Sequence, residues 1–243
     1  MLLLGIGIFF SLTVMLPVQA GSDHLYHDPW PPRPGSIGKV YMNRPIARVM
    51  GYEGAYWLER PQRAQEENPD AVIAALNLQP TDIVADIGSG TGYFSTKISE
   101  QVLDGTVLAV DVQPQMQRIL ASRLQDEGID NIIPILGEEQ DPHLPAGEVD
   151  LALMVDTYHE FAYPYEMMQG ILKGLKPGGR VVLVEYKKEN PLIPIKPLHK
   201  MSQAQVRREM AGVGLEWMAA LEVVPHQHVL VFQKPADSVT LQK

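Results

Sequence analysis

The sequence predicts an α/β fold, a doubly wound and mostly parallel sheet with helices on both faces, and three observations predict it. The apolar run Ile83-Val84-Ala85 breaks into Asp86-Ile87-Gly88-Ser89-Gly90-Thr91-Gly92, a strand that turns through glycines into a helix near Tyr93. Short apolar runs then alternate with segments whose apolar residues recur every three to four positions. The 243 residues suffice for one such domain with a full core and are too few for two comfortable ones.

The glycine turn carries the first chemical signal. Glycines let backbone N–H groups approach a ligand and accept positive φ, and a helix opening there directs its partly positive N-terminus at the same place. A dinucleotide turn is expected as G-x-G-x-x-G around a pyrophosphate, whereas Gly88, Gly90 and Gly92 run G-x-G-x-G behind Asp86. That carboxylate would repel a pyrophosphate and suits a cation.

The remaining elements follow in order. Asn68-Pro69-Asp70 starts the first clear helix, with Asn68 as cap, Pro69 at the first helical position and Val72, Ile73 and Leu76 on one face. Thr106 to Val110 reads as the second strand, closed by Asp111, and Met116, Ile119, Leu120 and Leu124 mark the helix after it. Ile132 to Leu136 leads into Gly137-Glu138, and Val149 to Val155 ends in Asp156-Thr157-Tyr158-His159-Glu160-Phe161. Met167, Met168, Ile171, Leu172 and Leu175 give a further helix, and Leu175-Lys176-Pro177-Gly178-Gly179-Arg180 a turn before the strand Val181 to Glu185. Ser202-Gln203-Ala204-Gln205 fits a capping box for a last helix ending near Gly214. Two late strands, Leu215 to Val223 and His228 to Gln233, flank Pro225-His226-Gln227. Upstream, Ser22 to Lys39 reads as a surface linker, Asn43-Arg44-Pro45 as the cap of a short helix to Met50, and Trp57 to Pro61 as irregular chain.

These motifs, in this order, resemble those of the class I S-adenosylmethionine-dependent methyltransferases, most of all the ubiquinone/menaquinone-methyltransferase-like branch (methyltransferase types 11 and 25). The likeness covers about Ala71 to Lys234. It implies a Rossmann-like sheet of about seven strands whose last strand is antiparallel, S-adenosylmethionine as cofactor, and a small-molecule acceptor. By the same resemblance Asp86, Gly88, Ser89, Gly90, Thr91 and Gly92 form the cofactor turn and Asp111 holds the ribose hydroxyls. Glu138 lies near the adenine, where the family has Gly-Asp, and Asp156 faces cofactor and substrate. Tyr52, Tyr56, Trp57 and Arg60 fall where family members place a lid, and His199 where the acceptor site is lined.

Methyl transfer displaces an excellent leaving group in line, so positioning supplies much of the catalysis. An acceptor hydroxyl or protonated amine needs a base, and His159 is the natural choice because its pKa lies near neutrality. Glu160 orients it or acts itself, Asp156 and Tyr158 complete the wall, and Glu185 and Tyr186 end the next strand in reach of the same pocket. A satisfied structural histidine is the competing reading of His159. For Asp111 it is a helix N-cap, and for Asp86 an acceptor of backbone N–H bonds.

Composition narrows the class. A formal charge of −9 with scattered basic residues argues against a nucleic-acid partner, and the absence of cysteine excludes disulfides and thiolate chemistry. His24, His27-Asp28, His226 and His228 show no metal-ligand spacing, so no metal is expected. Leu2 to Leu16 is almost wholly apolar and Val18-Gln19-Ala20 precedes Gly21 like a cleavage site, which reads as a signal peptide or membrane tether and implies an exported protein. The n-region lacks Lys and Arg, which leaves a cytoplasmic product open. The organisation expected is a leader over 1–20, a linker and lid over 21–66, the domain over 67–235 and a tail over 236–243. A non-catalytic binding protein that keeps the cofactor cleft is the alternative function, and a nucleotide-binding oxidoreductase is disfavoured by the glycine spacing. The acceptor and the oligomeric state are not legible.

Overall fold

A computed structural model describes residues 25–236; the expected leader and His24 lie outside them. Seven strands form one sheet: β4 (Ile83–Ile87), β5 (Thr106–Asp111), β6 (Ile132–Leu136), β7 (Val149–Val155), β8 (Leu175–Tyr186), β9 (Glu216–Leu221) and β10 (Gln227–Gln233). Their order is β6-β5-β4-β7-β8-β10-β9. The first five strands pair in parallel, and β10 runs antiparallel to both β8 and β9.

Alternation along each strand divides its side chains between two apolar layers. Val84, Leu151, Leu153, Val182 and Val184 meet α3 (Pro69–Ala75), α4 (Tyr93–Ser99) and α5 (Pro114–Glu127) through Val72, Phe94, Ile98 and Leu120. On the opposite face Ala85, Ile87, Ala152, Met154, Val181 and Leu183 meet Met167, Met168 and Ile171 of α6 (Pro164–Gly174) and Val206 and Met210 of α7 (Gln203–Gly212). The chain leaves β4 toward β5 on one side and enters β8 from β7 on the other. The topological switch point therefore lies between β4 and β7, and ligands bind such sheets at the strands' carboxyl ends there.

Two expectations are corrected upstream. The described part of the stretch expected as linker and short helix carries an antiparallel sheet of β1 (Tyr26–His27), β2 (Ser36–Tyr41) and β3 (Arg44–Ala47), in that order. Met42 and Asn43 have φ of 46° and 67°, the paired positive values of a two-residue hairpin turn, so Asn43 reverses the chain where a helix cap was expected. Pro45 is tolerated because β3 is an edge strand. The start of Trp57 to Pro61, expected as irregular chain, belongs to the single helical turn α1 (Ala55–Leu58), and α2 (Arg63–Glu67) follows.

Two smaller differences come from pairing. Leu175 already pairs with Val149, and the register shifts before Leu151 meets Arg180, so the expected turn bulges from inside β8. Ser202 accepts from the Gln205 N–H at 3.2 Å as expected, but Gln205 Nε2 bonds Met42 O at 3.1 Å in place of closing the box.

Candidate functional site

Asp86 is the penultimate residue of β4, Asp156 begins the loop after β7, and Asp111 ends β5, so three carboxylates lie at the strand ends around the switch point. The glycine turn is packed on both sides. Gly88 has φ of 76°, and a Cβ there would overlap the Thr157 side chain; Gly90 has φ of 55°, and a Cβ there would lie 2.7 Å from Leu58 Cδ1. Its N–H groups are used inside the protein. Gly88 and Ser89 donate to Val110 O at 2.8 and 2.9 Å, Gly90 to Asp111 Oδ2 at 2.9 Å, and Gly92 to Ser89 O at 2.9 Å. A turn with its donors engaged this way is no cradle for a pyrophosphate, which needs them free.

Asp111 accepts from Gly90 N with one oxygen and from Gln113 N with the other, at 2.8 Å. Each carboxylate oxygen keeps a lone pair for a further donor. The residue capping α5 is Gln113, so Asp111 is not that helix's N-cap. Burial raises the Asp111 carboxyl, with the backbone bonds from Gln113 and Gly90 opposing. Asp86 receives the Ser95 hydroxyl at 2.6 Å, and burial pushes its carboxyl up to about 6.

Asp156 is the most constrained of the three. Its φ is 49°, a left-handed value for a non-glycine residue, and such strain concentrates at functional sites. Gln227 Nε2 donates to its Oδ2 at 2.7 Å, while Oδ1 is buried with no hydrogen-bond partner. Burial and the Glu67 and Glu185 carboxylates hold its carboxyl well above the ordinary range. Ser89 Oγ is likewise buried and unpartnered. Buried polar atoms are normally paired, so two orphans flanking one switch point make it the candidate ligand site.

The segment over the turn differs from the expected lid. Tyr52, Tyr56 and Trp57 are exposed, and the contacts to the turn come from Leu58 on Gly90 and from Glu59, whose Oε1 takes the Thr91 hydroxyl at 2.5 Å. Arg60 bonds Glu66 and Glu67 and sits 4.0 Å from the Trp57 ring centroid. Arg63, buried, bonds Glu67 at 2.8 Å and lowers both Asp86 and Asp156 by its charge. The sequence reading missed Arg63, Glu67 and Gln227. The i,i+4 opposite charges of Arg63-x-x-x-Glu67 were the local signal for that pair, and Gln227 had none.

A second cluster lies beyond β7. His159 is only 2% exposed, and both of its ring nitrogens are engaged: Nδ1 with Glu185 Oε2 at 2.6 Å and Nε2 with His199 Nδ1 at 3.0 Å. The orienting carboxylate is therefore Glu185, not Glu160, whose Oε1 lies 3.8 Å from Nε2. Burial works against the imidazolium, but the Glu185 charge and hydrogen bond outweigh it and raise the His159 pKa. Glu160 accepts from Met50 N at 3.2 Å and sits 3.2 Å from His199 Nδ1. Tyr158 is not a pocket wall, since it is fully buried and donates to Glu209 at 2.7 Å. Tyr186 donates to Glu67 at 3.2 Å.

Other expected residues are not brought in. The Glu138 side chain is 74% exposed. His228 pairs with Glu189 at 2.9 Å and His27 is exposed, so neither belongs to a ligand cluster.

Comparisons with known proteins agree with this architecture. Residues 84–179 match the methyltransferase-domain family. An uncharacterized methyltransferase of Mycobacterium tuberculosis is 30% identical over 131 residues, 54% of this chain and 49% of that protein. The ubiquinone/menaquinone biosynthesis C-methyltransferase UbiE of Ectopseudomonas mendocina is 27% identical over 124 residues, 50% of this chain and 48% of that protein. The chain spans about half the length of these curated relatives. Among solved structures, a SAM-dependent methyltransferase from Aquifex aeolicus superposes with a TM-score of 0.72 at 24% identity, over 76% of this chain and 99% of that one. The [4+2]-cyclase SpnF does so with a TM-score of 0.63 at 17% identity, over 72% and 82%. Glycine turn, strand order and the match over residues 84–179 together are those of an S-adenosylmethionine-dependent methyltransferase domain, a kind whose cofactor is S-adenosylmethionine.

Proposed function

We propose that the protein binds S-adenosylmethionine at the β4/β7 switch point and transfers its methyl group to a small-molecule acceptor. The observation that carries this reading is the convergence of Asp86, Asp111 and the unpartnered Ser89 Oγ and Asp156 Oδ1 around a glycine turn in a chain of this family. Asp111, held by two backbone N–H groups, presents its remaining lone pairs to the ribose diol. Asp86 and Asp156 offer negative potential to the cofactor's cationic half.

Catalysis on this reading is mainly positioning. Direct proton removal by His159 is disfavoured by its two engaged nitrogens and its burial. The groups that reach solvent from its cluster are Glu160 and His199, with side chains 11% and 24% exposed, and the acceptor is assigned to their side. A binding protein without turnover is the second reading, since the fold by itself does not fix a reaction. Calorimetry with S-adenosylmethionine and S-adenosylhomocysteine, followed by methyl release over panels of oxygen, nitrogen and carbon acceptors, separates them. Cofactor binding with no turnover on any panel supports the binding protein, and no cofactor binding defeats both.

Export belongs to the same proposal and rests on residues 1–20 alone. Mature protein from its host is expected to begin at Gly21, and a soluble product retaining Met1 defeats it.

A further inference from the structure

The geometry points to a divalent transition-metal site of the zinc class formed by His159 Nε2, His199 Nδ1 and Glu160 Oε1, with Glu185 orienting His159 from behind. The three atoms come from two loops 40 residues apart and face one another, at 3.0 Å between the nitrogens and 3.2 and 3.8 Å from each nitrogen to the same carboxylate oxygen. A point equidistant from all three lies about 2 Å from each, the length of a zinc–nitrogen or zinc–oxygen bond. Two histidines and one glutamate are a three-ligand set that leaves a fourth position for water or a substrate heteroatom.

Protons alone serve the cluster thinly. With Glu185 taking the Nδ1 proton, a neutral His159 presents a lone pair at Nε2, and the single Nδ1 proton of His199 then serves both that lone pair and the Glu160 carboxylate. If His159 donates from both nitrogens, His199 Nδ1 must accept, and its lone pair faces the carboxylate oxygen at 3.2 Å. One cation satisfies all three acceptors at once.

Charge and support point the same way. Among the described residues neither Glu160 nor the fully buried Glu185 has a Lys or Arg within ion-pair distance. The nearby Arg44 is bound at two points to Glu209. The Glu185–His159 pair is the carboxylate–histidine arrangement that fixes the tautomer and raises the basicity of a metal-bound imidazole, and the Met50 N–H holds the Glu160 carboxylate in place. Sequence spacing hides this set because His199 is remote from His159 along the chain.

The site needs no methyl transfer, so its test is independent of the proposed activity. Full-length protein stripped with a chelator is titrated with Zn²⁺ and with Co²⁺, and metal content after dialysis and the Co²⁺ visible spectrum are recorded. About one ion per chain and the intense bands of low-coordinate cobalt are expected. His199→Ala and Glu160→Gln should each weaken binding at least tenfold, and Glu185→Gln by about 10- to 100-fold at unchanged stoichiometry. His228→Ala, outside the cluster, should leave it unchanged. Circular dichroism and S-adenosylhomocysteine calorimetry on the same samples separate loss of fold or of the cofactor site from loss of metal. No stoichiometric uptake by the wild type, or uptake undiminished in folded His199→Ala and Glu160→Gln, overturns the proposal and leaves a hydrogen-bonded histidine pair.

Discussion

Arg44 and Glu209, 165 residues apart, form a buried two-point ion pair, with Nε to Oε1 at 2.8 Å and Nη2 to Oε2 at 2.9 Å. Glu209 also takes the Tyr158 hydroxyl, and Arg44 Nη1 donates to His159 O at 3.1 Å. One pair thus clamps the N-terminal sheet, α7 and the loop after β7 together. Removing one partner from such a pair strands a buried charge, so Arg44→Met is expected to cost about 3–5 kcal/mol. Urea unfolding of Arg44→Met, Glu209→Met and the double variant checks this. The double variant should lose less than the two singles combined, and simple additivity would show the pair to be uncoupled.

Asp86 gives stability a pH dependence of defined sign. Its folded pKa, about 6, exceeds the ordinary 3.8. The stabilisation linked to its proton is complete below pH 3.8 and is lost as pH rises through 6, a change of about 3 kcal/mol. Asp86→Asn removes this component. The stability difference between variant and wild type should therefore grow in the variant's favour between pH 4 and pH 7, and a pH-independent difference would refute the assignment.

Asp111 is the cofactor prediction. Asp111→Ala removes two acceptors that the turn and the ribose are proposed to share, so affinity for S-adenosylhomocysteine should fall by about 1.5–3 kcal/mol, the range for charged hydrogen bonds. Calorimetry on folded protein reads it directly. Unchanged affinity would reassign Asp111 to holding Gly90.

Gly88 tests the packing of the turn. Alanine there meets both a positive φ and the Thr157 side chain. Gly88→Ala should lower the melting temperature and abolish cofactor binding, and Thr157→Gly in the same chain should recover part of the stability by removing the clash. No recovery would mean that backbone strain alone sets the cost.

Sequence by itself determined the elements whose signals are local. Val149–Val155 and Ile132–Leu136 stand where apolar runs placed them, the glycine turn opens α4 at Tyr93, and Asn68 caps α3 through a bond to Ala71 N. Backbone periodicity, caps and turns are decided over a few residues. The positions of Asp86, Asp111 and Asp156 near strand ends were legible for the same reason, since a strand end is visible in the pattern.

Tertiary structure decided which side chains meet. Pro and His between Ser22 and Lys39 suggested a linker, yet Tyr26–His27 and Ser36–Tyr41 pair as strands, and Val40, Tyr41, Ile46 and Ala47 of this small sheet are buried. Glu185 rather than Glu160 holds His159, Tyr158 serves Glu209, and Glu138 faces water. His199 reaches His159 only when the loop before α7 folds over the end of β7. Such partnerships depend on desolvation and on charges from distant stretches of chain, and no spacing rule within either stretch encodes them.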